Sequence, residues 1–569
     1  MPRFIRTLCL FSALALAGCA SGPDKPDDGL VQLYNKRVTP EQAEGWRATA
    51  LMGGPLRLAQ ASYDVRHYDL DIAFYPETKS IAGSNTISVR VLADSDLFEI
   101  PLDSRLEVSK VTVDGKAPQA VVHEGGLVKI GLADSWKQGE RHKVTINYAG
   151  VPHEALAPPW SDGMVWKSAE DGSPWVGTTS QGSGGDLWWP VKDHPSDEPD
   201  EGMRISLDVP GGLVGLANGR KLSEKRVDGR AISEWEVSYP INQYGVAIAI
   251  GPYVAIPTSY TRASGKVEEI IFWALPEHEE EAREMWLDQG PRILAAFEKR
   301  FGEYPFWNDK YWVVETPHLG MEHQTLVAYG SNFKLNDFGF DWLLLHETAH
   351  EWWGNKVSAR DWADWWLHEG FGAYSHAVFV DADSGKQRYL EYMQNSCNAK
   401  AFNRYRNPII SGTDVVAEAG YVPEVYDKAS CALHSLRWLM EDEDFWAAVY
   451  QLQNDPRFAY KTANLADFRG LVNAIDGEPH DWFFQKYFYT AEIPRWTMSR
   501  ARAADHETVV LEWDDPLFQL PIPVGVNGEV QRVAMQGGKG SLRVPLDAEV
   551  TIDPDGWLLA LPADPPPEQ

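Results

Sequence analysis

The sequence is poor in cysteine, in positive charge and in long apolar runs, and each shortage excludes something. Only 4 cysteines occur in 569 residues, and no two of them form a CxxC pair. That removes the common cysteine zinc sites and thioredoxin-like redox chemistry. Lys and Arg number 52 against 82 Asp and Glu, a net charge of −30, with a pI of about 4.9. A phosphate backbone repels such a surface, so nucleic acid is excluded as a partner. The acidity reads chiefly as a solubility feature and identifies no substrate. No internal stretch is apolar for long enough to make a transmembrane helix, and no internal repeat is present. What the chain does have is apolar and aromatic content, 44% and 12%. That is enough to bury sizeable cores and excludes disorder.

The N-terminus carries an address. Arg3 and Arg6 precede an apolar run, Leu8 to Ala17, too short to span a bilayer. This is the pattern of a signal peptide. It ends in Leu16-Ala17-Gly18-Cys19, which resembles the lipobox of bacterial lipoproteins, in which the cysteine is lipidated and becomes the mature N-terminus. The alternative is an ordinary cleaved signal with an incidental Cys19. Ala20, where an Asp would resemble an inner-membrane retention signal, points to the outer membrane. The expected location is therefore the bacterial cell envelope, tethered by acyl chains at the outer membrane and facing the periplasm. With Cys9 inside the signal, Cys397 and Cys431 remain. An export compartment permits a disulfide between them, and two isolated buried thiols are equally compatible with the spacing.

Periodicity divides the rest. Residues 20–60 read as a polar linker followed by a short helix that starts at Thr39-Pro40-Glu41 and runs to about Met52. From 61 to 255 the period is two. Tyr68, Leu70, Ile72 and Phe74 alternate with polar neighbours, as do Ile87, Val89 and Val91, and turns such as Asp114-Gly115 separate further short runs. This predicts an antiparallel β-sandwich. From 256 to 494 helices dominate: Glu277 to Arg300, kinked or split at Gly290-Pro291, then Trp342 to Trp353 and Leu367 to Phe379. From 495 to 569 the strand period returns in a small β-domain. The fold class is multidomain α+β.

One motif carries chemistry. His346-Glu347-Thr348-Ala349-His350 is an HExxH. On a helix the i, i+4 spacing puts both imidazoles on one face, able to grip one cation. Glu347, beside the first ligand, is placed to act as base towards water that a zinc ion acidifies to a pKa of ~7. The motif alone is weak evidence, since chance supplies one in roughly 3% of such chains. A catalytic zinc also needs a third protein ligand and an open position. Glu369, at the start of the next apolar helix, and His368 are the two candidates.

The segment from His346 to Asn355, followed by Trp365-Trp366-Leu367-His368-Glu369-Gly370-Phe371, resembles the aminopeptidase N family, gluzincins that include leukotriene A4 hydrolase. That family's pattern is HExxH, eighteen residues, then Glu in a WLNEGFA-like sequence. Here eighteen residues separate His350 from Glu369, with His368 in place of Asn and Gly372 in place of Ala. The resemblance implies a thermolysin-like catalytic domain, one Zn²⁺ per chain held by His346, His350 and Glu369, and Glu347 as base. Leu319-Gly320-Met321-Glu322-His323 is similar to the family's GxMEN. This implies that Gly320 and Met321 lie along the substrate and that Glu322 binds its free α-amino group. Val425-Tyr426-Asp427-Lys428-Ala429 is similar to YxKG, which makes Tyr426 the donor to the oxyanion, with Tyr421 a nearby decoy. Ser180-Gln181-Gly182-Ser183 is the nearest match to a TQxE loop. Gln181 fits as a second contact to the amine, whereas Ser183 stands where the family has an acid, and Asp186 is a candidate to compensate.

The implied reaction is hydrolysis of the first peptide bond of a peptide with a free N-terminus. The alternative is an endo- or oligopeptidase with a loose N-terminus requirement; a non-catalytic peptide-binding lipoprotein is remoter, and the epoxide hydrolysis of one family branch has no support in the sequence. Asp364 reads either as an acid orienting a ligand histidine or as a helix cap. Trp352, Trp353, Trp362, Trp365 and Trp366 read as core.

Overall fold

Alternation in sequence becomes alternation in burial. The computed structural model describes residues 52–563. The signal segment, Cys19 and residues 39–51 of the expected helix lie outside them. In the strand Tyr63–Tyr75, Tyr68, Leu70, Ile72 and Phe74 are buried while Asp71 and Tyr75 face solvent. This strand sits fourth in a seven-stranded sheet in the order Arg220–Val227, Arg230–Val237, Met203–Pro210, Tyr63–Tyr75, Ser80–Val91, Arg141–Gly150, Leu106–Val113. Three- and four-stranded sheets pack with it, sharing one apolar core that holds Phe98, Ile130, Trp136, Val176 and Ile248.

The sheet departs from the expected antiparallel pattern once. Tyr63–Tyr75 and Met203–Pro210 pair in parallel, Leu70 opposite Ile205. A parallel partner needs a long crossover. The chain between the two strands provides one, because it forms most of the packed sheets on the way.

Strands also continue past the expected boundary at 256. A five-stranded sheet in the order Val254–Thr261, Val267–Ala274, Trp312–Glu315, Leu326–Tyr329, Gly320–Met321 precedes the metal motif. Its period is hard to read because both faces are buried. Val314 and Leu326 belong to the first core, and Val313 and Val327 to a second. The sheet is thus the wall between the two cores, and Gly320-Met321 is its edge.

The second core is helical. Helix α1 (Glu279–Phe301) runs unbroken through Pro291 rather than splitting there. Proline removes one N–H, but Trp286, Gly290, Ile293, Leu294 and Phe297 are all fully buried around it and hold the helix to the sheet. Helices α2 (Trp342–Ala349), α3 (Trp366–Ser384) and α4 (Asp427–Asn454) complete the layer. The α4 backbone is interrupted at Glu441. The C-terminal strands are clamped to the back of α4, with the Ser435 hydroxyl donating to the Trp557 carbonyl at 2.9 Å and the Trp438 indole to the Pro521 carbonyl at 2.7 Å. Leu511, Trp513 and Phe518 join the same core. Cys397 and Cys431 are disulfide-bonded, with Cα atoms 5.7 Å apart, which settles the alternative left open by their spacing. No helix among the described residues is long and apolar enough to cross a membrane.

Candidate active site

Helix α2 starts at Asp341, whose carboxylate accepts the Leu343 and Leu344 N–H groups at 3.0 Å and the Tyr329 hydroxyl at 2.7 Å. That cap ties the helix to the sheet wall. The helix ends at Ala349, shorter than expected, because the chain turns back so that Asn355 and Lys356 donate to the His350 and Glu351 carbonyls. Gly354 makes the turn at φ +122°, where a side chain is strained. Trp352, Trp353, Trp362, Trp365 and Trp366 are all at most 2% exposed and form the core around this turn.

The motif residues converge. His346 Nε2 and His350 Nε2 are 3.2 Å apart, and Glu369 Oε2 from α3 is 3.3 and 3.5 Å from them. The His350 Nδ1 hydrogen bonds the Trp353 carbonyl at 2.8 Å. A carbonyl only accepts, so Nδ1 carries the proton and Nε2 offers its lone pair. Gly372 lies so close that a Cβ there would stand 2.9 Å from His350 Cε1 and 3.1 Å from His346 Cε1. Its departure from the family's alanine makes room for both rings.

The electrostatics ask for a cation. Burial lowers the His350 pKa, yet Glu369, Glu322 and Glu347 push it up to about 10. Burial raises Glu347 well above the carboxylate range. Two imidazole nitrogens and one carboxylate oxygen within 4.8 Å of one another, in a field of three buried acids, are a donor set that would hold a zinc ion.

His368, the rival ligand, points elsewhere. Its Nε2 accepts the Ala359 N–H at 2.8 Å and its Nδ1 is 3.2 Å from the Tyr244 hydroxyl. Asp364 orients no histidine; it accepts the Leu465 N–H at 2.9 Å and the Trp366 indole at 3.2 Å.

The remaining residues gather beside the metal ligands. Gly320 passes so near the base that a Cβ would lie 2.7 Å from Glu347 Oε1, and Met321 is 2% exposed on the same edge. Glu322 is 3% exposed, and burial pushes its carboxyl up to about 7. Gln181 Nε2, from the first sheet region, donates to Glu322 Oε1 at 2.6 Å and reaches Glu369 Oε1 at 3.5 Å. The Tyr426 ring stacks beside His346 with centroids 6.2 Å apart. The Tyr421 ring meets it edge-on with centroids 6.0 Å apart, so the decoy is a neighbour of the candidate. Asp186 does not compensate for Ser183: it is fully buried, and the groups acting on it are Asp193, Asp103 and Asp162 rather than the site residues.

Two contributors escaped the sequence reading. Asp162 accepts the Gly182 N–H at 2.8 Å and the Ser183 N–H as well, and so holds the loop that carries Gln181. Tyr244 faces both His368 and Glu322. Neither lies in a motif or a periodic segment, and their relevance comes from contacts across 20 and 124 positions of chain, so no local signal marks them.

Residues 285–487 match the Peptidase family M1 domain. Aminopeptidase B of Mus musculus is 24% identical over 441 residues, covering 68% of this chain and 64% of that protein. The chain therefore spans less than two thirds of that relative's length. Aminopeptidase N of Lactobacillus helveticus is 24% identical over 83% of this chain and 57% of its own length. Leukotriene A-4 hydrolase of Xenopus laevis is 23% identical over 72% of this chain and 68% of its own. Among solved structures, the M1 zinc metallopeptidase from Deinococcus radiodurans superposes with a TM-score of 0.63 at 21% identity, over 76% of this chain and 94% of that one. A mutant of that protein bound to a Tyr-Ser-Ala substrate gives 0.64.

Proposed function

This chain belongs to the aminopeptidase N family of zinc peptidases, and on that premise we propose that it is a zinc aminopeptidase that removes the N-terminal residue from peptides. The observation that carries the reading is the juxtaposition of Glu322 with the metal ligands: the ligand atoms of Glu322, Glu347 and His350 all lie within 4.8 Å of one another. A buried carboxylate that close to the reacting centre binds an ammonium one residue from the scissile bond.

Each residue then has a task. His346, His350 and Glu369 would hold the zinc ion, which would supply Lewis acidity towards the scissile carbonyl and water. Glu347 takes the proton of the attacking water on a carboxylate oxygen and returns it to the leaving nitrogen. Glu322 accepts the substrate ammonium, and Gln181 holds Glu322. Gly320 and Met321 offer the sheet edge to an extended peptide. Tyr426 donates to the oxyanion as the carbonyl becomes tetrahedral.

The test uses purified protein, metal-stripped and reconstituted. It should release free amino acids from unblocked peptides only when Zn²⁺ is restored. Equal cleavage of N-acetylated peptides would instead make it an endopeptidase, and peptide binding without turnover a binding lipoprotein. We also propose, from Leu16 to Cys19, that the protein is lipid-anchored in a bacterial envelope, and outer-membrane lipid attachment lost on Cys19→Ala checks this.

A further inference from the structure

The leader is built into the helical core at its end. Met52 is fully buried there. Its carbonyl accepts the Ala417 N–H at 3.0 Å, and the Gly54 N–H donates to the Val415 carbonyl at 3.1 Å. Gly53 stands opposite Val416 in an antiparallel bridge. Met52 to Gly54 thus pair as a short strand with the loop at 415–417. The Gly54 carbonyl also meets His194 Nε2 at 2.8 Å. The other nitrogen of that ring accepts the Ser196 N–H at 3.2 Å, so Nε2 carries the proton and donates. Three leader residues therefore bond both the first sheet region and a loop of the helical layer.

A packed series leads from this strand to Tyr426. Gly53, at φ +85°, lies so near Trp362 that a Cβ would stand 2.6 Å from its Cδ1. Gly420, three residues past Ala417, is pressed against the Trp362 carbonyl. Asp361 accepts the Val415 N–H at 3.1 Å and the Ala363 N–H at 3.0 Å, which ties the loop to the same turn. Trp362 packs on Trp365 with centroids 4.4 Å apart, Trp365 meets Tyr421 edge-on at 5.2 Å, and Tyr421 meets Tyr426 edge-on at 6.0 Å. Both tryptophans are at most 2% exposed. Side chains packed this closely pass a displacement on rather than absorb it.

We propose that Met52, Gly53 and Gly54 are positioning residues of the reaction: a strap that holds the loop at 415–421 against Trp362 and thereby places the Tyr426 hydroxyl at the oxyanion. The inference rests on the aminopeptidase reading, in which Tyr426 is that donor. Its physical basis is the weakness of the segment that leads to Tyr426. Between Cys397 and Cys431, which the disulfide joins, the chain forms only the short helical pieces Ala399–Phe402, Ala417–Gly420 and Pro423–Val425 before α4 starts. Pieces of three or four residues do not hold themselves. Glu424 anchors one part by accepting the Arg406 and Asn407 N–H groups at 2.6 and 2.9 Å. The strap anchors the other. An oxyanion donor stabilises charge only at its exact place, so a small shift of this loop costs turnover rather than substrate binding.

The test uses the full chain loaded with zinc: Gly53→Ala and Met52→Ser, each alone and combined with Tyr426→Phe. The readouts are kcat and KM on a tripeptide, zinc content, and hydrogen exchange at the Ala417 amide, which reports the strap itself. Each strap variant should speed that exchange, keep one zinc per chain, lower kcat about 5- to 20-fold and leave KM within about 2-fold. On the Tyr426→Phe background the same substitutions should change kcat less than about 2-fold, because the donor they position is gone. Faster exchange with full kcat would overturn the strap. So would a kcat loss that persists undiminished on Tyr426→Phe, a Tyr426→Phe variant with full kcat, or exchange that stays slow in both strap variants. If Gly53→Ala does not fold, Met52→Ser decides alone. Wild-type enzyme that cuts the tripeptide and its N-acetylated form equally sinks the aminopeptidase reading and leaves the strap standing, since its effect on kcat is read on either peptide.

Discussion

The two halves of the site are built differently. The metal half comes from two helices and one turn: His346 and His350 on and just after α2, Glu369 on α3, with the His350 ring held by the Trp353 carbonyl. The proposed amine half is assembled from two distant segments, the loop at Gln181 and the sheet edge at Glu322, joined by a 2.6 Å hydrogen bond. Of the departures from the family motifs, His368 and Gly372 fall beside the metal ligands, whereas Ser183, Leu319 and His323 fall in or beside the second half. A metal's coordination geometry fixes residue type and spacing tightly. An ammonium asks only for a buried, oriented negative charge, which several arrangements supply.

That contrast can be broken in stages. The largest effect belongs to the base. Glu347→Gln should keep its zinc and lose about 10²- to 10⁴-fold in kcat, measured by steady-state kinetics beside metal analysis. Tyr426→Phe comes next, with kcat down about 10²- to 10³-fold and KM nearly unchanged, as for loss of one oxyanion donor. The smallest is a pH effect on the amine half. Burial pushes the Asp162 carboxyl up from 3.8 to about 6, against the N–H groups of Ser183, Gly182 and Gln181 that pull it down. Its folded pKa lies above its unfolded one. Its contribution to stability is therefore full below about 3.8 and is lost as pH rises through 6. Binding runs the other way: protonation weakens its hold on the Gln181 loop. KM for free peptides should rise, by up to ~10-fold, as pH falls below 6, and Asp162→Asn should remove that pH step while the metal half is unaffected.

The same contrast explains what the sequence revealed. The strand alternation at Tyr68 to Phe74 was legible because one face of that sheet is polar. The five-stranded wall was not, because Val313 and Val314 are both buried, one in each core. The zinc ligands were legible because a helix converts spacing into a common face. Glu322 was found only through its resemblance to a family motif. Tyr244 and Asp162 act through contacts that the fold creates, and a turn tyrosine or loop aspartate has no distinguishing pattern.

The most direct test of the account compares one peptide with its N-acetylated form, in wild-type enzyme and in Glu322→Gln. We predict that the wild type cleaves the free peptide at least ~10-fold better in kcat/KM, and that Glu322→Gln loses about 10- to 100-fold on the free peptide alone, so that the preference collapses. A wild type that cleaves both peptides equally well, or a preference that persists in Glu322→Gln, would contradict it.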